Sequence, residues 1–317
     1  MERVLEYAAA GEWSSVGGFL KTKGYSRHVL TVIKRDGKIL RNGSPCYTNE
    51  RLLPGDRVTV RLPLFEASKK ILPVKLPLKI VYEDEDLFVI DKGADMPVHP
   101  SFGNHENTLA NGLAWYCQER AIPFVFYCIN RLDRDTTGLL ICAKNLISAS
   151  VLSDALQKRQ IHREYLALAS GLVPKEGIID APIGRLPGSA LARCVDWENG
   201  EPAVTHYRRL AYQGPAPALR ANTVPEANEF PDKNEDGCSL VSICLETGRT
   251  HQIRVHMKYL GHPLPGDFLY NPDFRNIRRQ ALHSHRLEFP HPVTGEILSF
   301  SSPLPEDMQR AFQTRTM

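Results

Sequence analysis

The sequence lacks the features that would place the protein in a membrane or tie it together with disulfides. No run of 18 or more apolar residues occurs in its 317 residues, and the N-terminus, which carries Glu2 and Glu6, is a poor signal peptide. The seven cysteines are scattered and never spaced as Cys-x-x-Cys, so they are expected to be reduced thiols. We therefore predict a cytoplasmic protein, long enough to bury a stable core without disulfides or metal.

Net charge is low but unevenly distributed. The whole chain carries only +3, whereas the segment from Lys21 to Arg41 contains seven basic residues and a single acidic one, Asp36. Seven positive charges and one negative charge give the segment a net charge of +6, which exceeds that of the entire chain. Such a patch is the expected footprint of a phosphate-backbone contact, although a solvated helix face would have the same composition.

The stretch from Asn130 to Lys144 concentrates the residues best suited to chemistry. It begins with Asn-Arg-Leu-Asp-Arg-Asp, passes through Thr-Thr-Gly, and continues as an apolar run that ends at Lys144. The polar half favours a turn, and the apolar half favours a buried strand. Asp133 would therefore be held in a turn beside a rigid element, as a catalytic carboxylate must be. The competing interpretation is a solvated loop of alternating charge.

The string Arg-Leu-Asp-x-x-Thr-x-Gly-Leu-Leu, which starts at Arg131, resembles the active-site motif of the RluA family of RNA pseudouridine synthases. Further similarities follow in order: Met96 to Pro100, Arg163 to Tyr165, Glu246 to Gly261, and parts of the C-terminal region. The resemblance implies an α+β fold, in which a mixed, largely antiparallel sheet has helices packed outside and an RNA cleft across its middle.

The resemblance also implies roles for individual residues. Asp133 would act at the ribose, either by attack on C1′ or by taking part in proton removal from C2′; Tyr165 would lie against the uracil, and Arg254 would pair with the aspartate. No cofactor or metal is implied, and RNA is the expected partner of a monomeric enzyme. The predicted RNA-binding residues are Arg131, His99, Arg27, Lys34, Arg35, His251 and Lys258.

Asn130 departs from the family pattern, which commonly has histidine at this position. Asparagine can donate a hydrogen bond but does not titrate near neutral pH, so the difference bears on RNA binding or substrate choice. The predicted substrate is 23S ribosomal RNA, with transfer RNA as the alternative. Two further hypotheses stay open: a catalytically inactive RNA-binding or ribosome-assembly protein, and a hydrolase that releases free uracil.

The chain is predicted to contain two domains joined by a linker. Residues 1–64 resemble an S4 RNA-binding domain, with Ser26 as the N-cap of a basic helix and short strands near residues 38–40 and 57–62. Residues 65–78 are proline-bearing and are predicted to be the linker. The catalytic domain would span 79–317, interrupted by an exposed insertion at 213–238 that has no apolar periodicity.

Overall fold

The computed structural model describes residues 3–36, 38–62, 71–101, 103–214 and 237–313. Up to residue 62 it forms an N-terminal module of two helices and a small antiparallel sheet. The elements of this module are β1 (Val4–Ala8), α1 (Val16–Thr22), α2 (Arg27–Asp36), β2 (Lys38–Arg41), β3 (Ser44–Pro45) and β4 (Arg57–Arg61). The sheet order is β1-β4-β2-β3. Ser26 precedes α2 as predicted, and its hydroxyl accepts a hydrogen bond from the Val29 amide at 3.3 Å.

The rest of the chain alternates strands with four helices over the ranges that the structure describes. Its first half comprises β5 (Ile80–Glu83), β6 (Leu87–Lys92), α3 (Leu109–Glu119), β7 (Tyr127–Cys128), β8 (Thr137–Ala143), α4 (Leu146–Gln157) and β9 (His162–Ser170). Its second half comprises β10 (Glu176–Asp180), β11 (Ile183–Arg185), β12 (Arg193–Val195), β13 (Val204–Gln213), β14 (Cys238–Leu245), α5 (Gln252–Tyr259), β15 (Leu282–Pro290), β16 (Ile297–Ser301) and α6 (Glu306–Gln313).

One large sheet organises this second part. Its strand order is β10-β13-β14-β9-β15-β8-β6-β5, with β16 added beside β15 and β7 beside β8. Among its described pairs, only β15 with β8 is parallel. The predicted α+β fold with a mixed, largely antiparallel sheet is therefore confirmed. Most of the predicted insertion, residues 215–236, lies outside the described residues.

The sheet buries both of its faces, because β8 alternates between two hydrophobic cores. Leu140 and Cys142 pack toward the core that contains residues of α3 and α5, whereas Leu139 and Ile141 pack toward the core formed with α4. A strand buried on both sides appears in sequence as a continuous apolar run, which is the pattern seen after Gly138. No helix within the described ranges is both long and apolar enough to cross a membrane.

Gly138 allows β8 and β15 to approach closely at the start of β8. Its φ is +106°, and a Cβ atom at this position would lie 2.2 Å from the carbonyl oxygen of Ser284. Only glycine fits such a position without moving the backbone. The parallel pairing of Thr137 with His283 therefore depends on this residue, and it fixes the end of the loop that carries Asp133.

The N-terminal module is packed against α4. Ile147 belongs to the same hydrophobic cluster as the core of the module, and Leu146 and Val151 pack against that cluster. The Ser150 hydroxyl donates to the Gly24 carbonyl oxygen at 2.9 Å and accepts from the Ser26 amide at 3.0 Å. The module and the large sheet thus share an apolar contact and a pair of hydrogen bonds.

The described part of the predicted linker is also held against the larger domain. The Val74 amide donates to the Asn111 carbonyl oxygen at 3.2 Å, and the Asn111 side chain donates to the Leu72 carbonyl oxygen at 2.8 Å. Leu76 and Leu78 pack against the core beside α3. Residues 71–78 are therefore part of the surface of the larger domain; residues 63–70 lie outside the described residues.

Gly24 provides a test of the packing between the module and α4. Its φ is +86°, and an added Cβ would lie 2.9 Å from the Cα of Val151, whereas Gly43, with φ +85°, has open space around the same position. We expect Gly24→Ala to lower the free energy of unfolding by about 1–3 kcal/mol more than Gly43→Ala. Both variants carry the same backbone strain, so the difference between their free energies of unfolding, measured by chemical denaturation, reports the contact of Gly24 with α4. Equal losses in the two variants would contradict this contact.

Candidate active site

The loop that carries Asp133 is anchored at both ends to β8. The Ile129 amide donates to the Ile141 carbonyl oxygen, and the side-chain oxygen of Asn130 accepts from the Ile141 amide, both at 2.9 Å. After Asp133, a tight turn closes when the Thr136 amide donates to the Asp133 carbonyl oxygen at 3.1 Å. Asn130 therefore extends the pairing of β7 with β8 through its side chain. Its amide nitrogen is buried and has no hydrogen-bond partner among the described residues.

Arg254 connects Asp133 to a second carboxylate. Its Nη1 donates to Oδ2 of Asp133 at 2.8 Å, while Nε and Nη2 bind both oxygens of Asp267 at 2.6 and 2.8 Å. Asp267 is completely buried, the Arg254 side chain is 2% exposed, and Asp133 is 28% exposed. The bidentate bond to Asp267 fixes the guanidinium plane, so that the remaining nitrogen points at the only one of the two carboxylates that solvent reaches.

Two carboxylates keep this buried arginine charged. Burial opposes the positive charge of Arg254, but the hydrogen bonds and negative charges of Asp267 and Asp133 outweigh burial and raise its pKa. The guanidinium also lies beside the ring of Tyr270, with 5.0 Å from Cζ to the ring centroid. A permanent cation is therefore fixed beside Asp133.

His251 also lies near Asp133, and its ring packs edge-on against Tyr270 with 5.7 Å between the ring centroids. Burial lowers the pKa of His251 despite the opposing effect of Asp133, so the ring favours its neutral form. The Tyr270 hydroxyl accepts from the Arg193 amide at 2.8 Å and can therefore donate its own hydrogen to Nδ1 of His251, 2.9 Å away. The proton of the neutral imidazole then lies on Nε2, which faces Oδ2 of Asp133 at 4.0 Å.

Lys92 binds the backbone of the loop that carries Asp133. Its buried ammonium group donates to the carbonyl oxygens of Gly93 at 2.7 Å and of Arg134 at 2.8 Å, and Arg134 directly follows Asp133. Burial lowers the pKa of Lys92 to about 7, and the opposing charges of Asp135 and Asp133 only partly offset this. A neutral amine still has two N–H groups, enough for both carbonyl oxygens, so these contacts survive deprotonation.

Tyr165 lies on β9 and is one of the residues that line the cleft above Asp133. Burial raises the pKa of its hydroxyl, the Arg163 charge lowers it, and Asp133 raises it. The phenol is therefore protonated at neutral pH. Its ring presents an apolar surface to the cleft, and its hydroxyl is able to donate or accept a proton.

Asp133, Tyr165, His251 and Arg254 line one open cleft of about 870 Å³. Among the described residues that line it, arginine dominates: six arginines are present against two carboxylates, Asp133 and Glu246. A cleft of this size accommodates a nucleotide, and its excess positive charge suits a phosphate backbone. The six arginines are Arg131, Arg134, Arg159, Arg163, Arg249 and Arg254.

The structure brings most of the predicted site residues together. Asp133, Tyr165, Arg254, Arg131, His99 and His251 all line the cleft. His99 packs edge-on against Phe126 at 4.8 Å between ring centroids, and burial, with a smaller contribution from Arg131, lowers the pKa of its imidazole. Neutral His99 and exposed Arg131 thus both contribute to the lining of the cleft.

The spacing of His251, Arg254 and Lys258 predicts that they share one basic face of a helix, and this prediction is wrong. His251 precedes α5 in a left-handed conformation with φ +58°, and Arg254 points into the protein rather than toward solvent. Lys258 is exposed and lies near Tyr270, with 5.7 Å from Nζ to the ring centroid. The 3.6-residue spacing grouped these three residues, but the salt bridge to Asp267 draws Arg254 inward.

The predicted basic residues of the N-terminal module lie outside the cleft. Arg27, Lys34 and Arg35 are exposed on α2, which contacts α4. The N-terminal half of α4 contacts the module, whereas Leu156 and Gln157 at its other end line the cleft. Twelve residues of helix span about 18 Å, which is the approximate separation of the two surfaces along α4.

A family model described as RNA pseudouridylate synthase matches residues 86–259, which include the loop of Asp133, Tyr165 and Arg254. The chain belongs to this family. Over 289 residues, this pseudouridine synthase is 39% identical to the RNA pseudouridine synthase YjbO of Bacillus subtilis, covering 90% of this chain and 94% of the relative. It is 36% identical over 296 residues to ribosomal large subunit pseudouridine synthase D of Neisseria meningitidis, covering 90% and 73% of the two chains.

The fold of this pseudouridine synthase is similar to that of a human relative. The structure of human RNA pseudouridylate synthase domain containing 1 matches with a TM-score of 0.56 and 27% identity, covering 72% of this chain and 83% of the other. The predicted membership of the RluA family is thus confirmed. The S4 resemblance of residues 1–64 and the individual roles of the site residues remain predictions.

Sequence reasoning missed the residues that hold Asp133 and Arg254 in place. Asp267 lies in the C-terminal region that resembles the family, where no local pattern distinguishes it, and Tyr270 lies three residues further on. Lys92 ends β6, where a lysine has no distinguishing pattern. Each acts through contacts between segments far apart in sequence, and no local spacing encodes those contacts.

Replacing Asp267 tests the salt bridge that fixes Arg254. Asp267→Asn removes one charge from a fully buried pair and leaves Arg254 with Asp133 alone, so we expect the free energy of unfolding to fall by about 3–5 kcal/mol. The matched control is Asp273→Asn, because Asp273 pairs with the exposed side chain of Arg275, and should cost less than about 1 kcal/mol. Equal losses in chemical denaturation would refute the special role of Asp267.

The depressed pKa of Lys92 predicts a pH dependence of stability. Between a folded pKa of about 7 and the ordinary value of 10.5, the unfolded chain binds the proton that the folded chain has released. The contribution of Lys92 to the free energy of unfolding therefore rises with pH across this window, by up to about 1.4 kcal/mol per pH unit. Chemical denaturation of wild type and of Lys92→Met from pH 7 to 9.5 measures this contribution. If the free energy of unfolding changed with pH in the same way in both proteins, the lowered pKa of Lys92 would be contradicted.

Proposed function

We propose that this pseudouridine synthase converts specific uridines of 23S ribosomal RNA to pseudouridine, with Asp133 as the carboxylate that acts at the ribose. The observation that carries the proposal is the hydrogen bond from buried Arg254 to Asp133 at the base of a basic cleft. Relatives named as large-subunit ribosomal synthases support the choice of RNA. Transfer RNA is the alternative substrate class.

The reaction detaches uracil from its ribose, turns the base and joins it again through carbon. Positive character at C1′, or a covalent bond there, must be supported while the base is free, and an ionised carboxylate does either. Within the described residues, Oδ2 of Asp133 is the oxygen that Arg254 engages, and Oδ1 accepts no hydrogen bond. Oδ1 is therefore the oxygen available to the ribose, at C1′ or at the C2′ proton.

The target uridine must leave its helix to reach Asp133. Extruding a base from a stack costs on the order of a few kcal/mol, which contacts in the cleft must offset. The half-exposed Asp133, the buried Tyr165 and the exposed Arg131 offer a carboxylate for the sugar, a ring for the base and a cation for the backbone. This arrangement supports binding of an extruded nucleotide with its base against Tyr165.

The N-terminal module supports a second point of RNA contact. Its exposed basic helix α2 and the cleft lie at opposite ends of α4, and the packing of α4 against the module sets the distance between them. One structured RNA contacting both surfaces would be held in a single orientation. The proposed substrate is therefore a folded RNA element rather than an isolated single strand.

Mapping pseudouridine after incubation with RNA tests the proposal. Unmodified transcripts of 23S ribosomal RNA and of transfer RNA are incubated with wild type or with Asp133→Asn. We expect new pseudouridine at defined positions of 23S RNA with wild type and none with the variant, because an amide cannot supply the negative charge. Pseudouridine found only in transfer RNA would mean that transfer RNA, and not 23S RNA, is the substrate.

Two other outcomes would reject the proposed activity. Tight RNA binding by both proteins, with no modification in any transcript, would favour the inactive RNA-binding protein and direct attention to Asn130. Release of free uracil would favour a hydrolase. Asp91→Asn serves as the charge-matched control, since Asp91 pairs with exposed Lys79 away from the cleft and should retain activity.

A further inference from the structure

Arg163 occupies the same face of β9 as Tyr165. The two residues are two positions apart on one strand, and side chains at i and i+2 project to the same side of a sheet, about 6.6 Å apart along it. Both line the cleft. Glu164, between them, is directed to the other face, where its carboxylate accepts from the Ser242 hydroxyl at 2.6 Å. The Arg163 guanidinium therefore lies on the face of the sheet on which the target nucleotide would bind.

Arg163 differs from most arginines of the cleft in having no anionic partner. Arg134, Arg159, Arg249 and Arg254 each form an ion pair with a carboxylate. Arg163 forms none with the described residues, and its Nε is buried without a hydrogen-bond partner. Leaving a buried donor of a charged group unsatisfied is costly unless a ligand satisfies it, so this guanidinium is prepared for an anion.

Gly248 lies directly behind the guanidinium. A Cβ atom at position 248 would lie 3.2 Å from Nη1 of Arg163, closer than ordinary contacts allow without movement of the neighbour. Because Gly248 has no side chain, the guanidinium group of Arg163 can lie against the backbone of Gly248. Because Nε is buried, the guanidinium is held within the wall of the cleft rather than extended into solvent.

We propose that Arg163 binds an RNA phosphate next to the uridine that lies against Tyr165. The inference rests on the proposed function and adds to it the residue that fixes the backbone of the extruded nucleotide. A guanidinium fork matches the geometry of phosphate oxygens and binds two of them at once. Arg131, which is exposed and precedes Asp133 in its loop, is a separate cation of the same cleft.

Binding of RNA by Arg163→Gln tests the proposal. Affinity for 23S transcripts is measured over a range of salt concentrations in the Asp133→Asn background, where no turnover occurs. We expect about 10- to 100-fold weaker binding and a salt dependence that is shallower by about 0.7–0.9 in the logarithmic slope, as for one lost phosphate contact. The control is Arg310→Gln, which removes an exposed arginine paired with Glu306 on α6, away from the cleft, and should leave both quantities nearly unchanged.

Activity separates a phosphate contact from an effect on Tyr165. With Asp133 intact and RNA saturating, the single-turnover rate of Arg163→Gln should stay within about threefold of wild type, since the phosphate contact serves binding. A large fall in that rate, a shifted pH profile and unchanged affinity would overturn the proposal in favour of an electrostatic role at Tyr165.

Neutral methylphosphonate linkages placed in turn around the modified uridine locate the contact. Wild type should lose affinity at each linkage that a cation contacts, and at one of these linkages Arg163→Gln should lose no further affinity, so that there the two changes are not additive. Additive losses at every linkage would overturn the proposal. If wild type modifies no RNA, the proposed function fails, yet affinity and salt slope still decide whether Arg163 binds phosphate.

Gly248→Ala supplies a second variant that keeps the charge. The added Cβ would lie 3.2 Å from Nη1 of Arg163 and displace the guanidinium group. We therefore expect weaker RNA binding with an unchanged dependence of affinity on salt concentration. Thermal unfolding of both variants confirms that they are folded. Wild-type affinity for Gly248→Ala together with wild-type affinity for Arg163→Gln would refute the role of this guanidinium.

Discussion

The guanidinium of Arg254 is the group on which the rest of the site depends. It is buried, it is paired with a fully buried carboxylate on one side, and it offers its remaining nitrogen to Asp133 on the other. A buried ion pair of this kind contributes little to stability in itself but requires one arrangement of its neighbours, since any other leaves a charge without a partner. Asp267 thus determines where Arg254 points, and Arg254 determines where Asp133 points.

The scaffold supports that arrangement from three directions. Gly138 lets β8 pair in parallel with β15 at the end of the loop, Lys92 binds the carbonyl oxygen next to Asp133, and the Asn130 side chain joins the start of the loop to β8. Gly138 and Lys92 are not among the residues that line the cleft, whereas Asn130 is. All three restrict the loop so that the carboxylate is oriented before RNA binds, which is the condition for electrostatic catalysis.

The sequence predicted the elements better than the contacts between them. The apolar run after Gly138 and the basic helix after Ser26 are local patterns, and both appear in the structure. The inward direction of Arg254 and the function of Asp267 are properties of a salt bridge between side chains that lie 13 residues apart and outside any periodic pattern. The docking of the N-terminal module on α4 joins residues more than 120 positions apart.

The rate of pseudouridine formation by Asp267→Asn measures whether Asp267 acts on catalysis only through the direction of Arg254, and so of Asp133. With RNA saturating, we expect a single-turnover rate about 10- to 100-fold below wild type, equivalent to one charge-assisted hydrogen bond, with RNA affinity unchanged. A wild-type rate in a folded Asp267→Asn protein would contradict this role of Asp267.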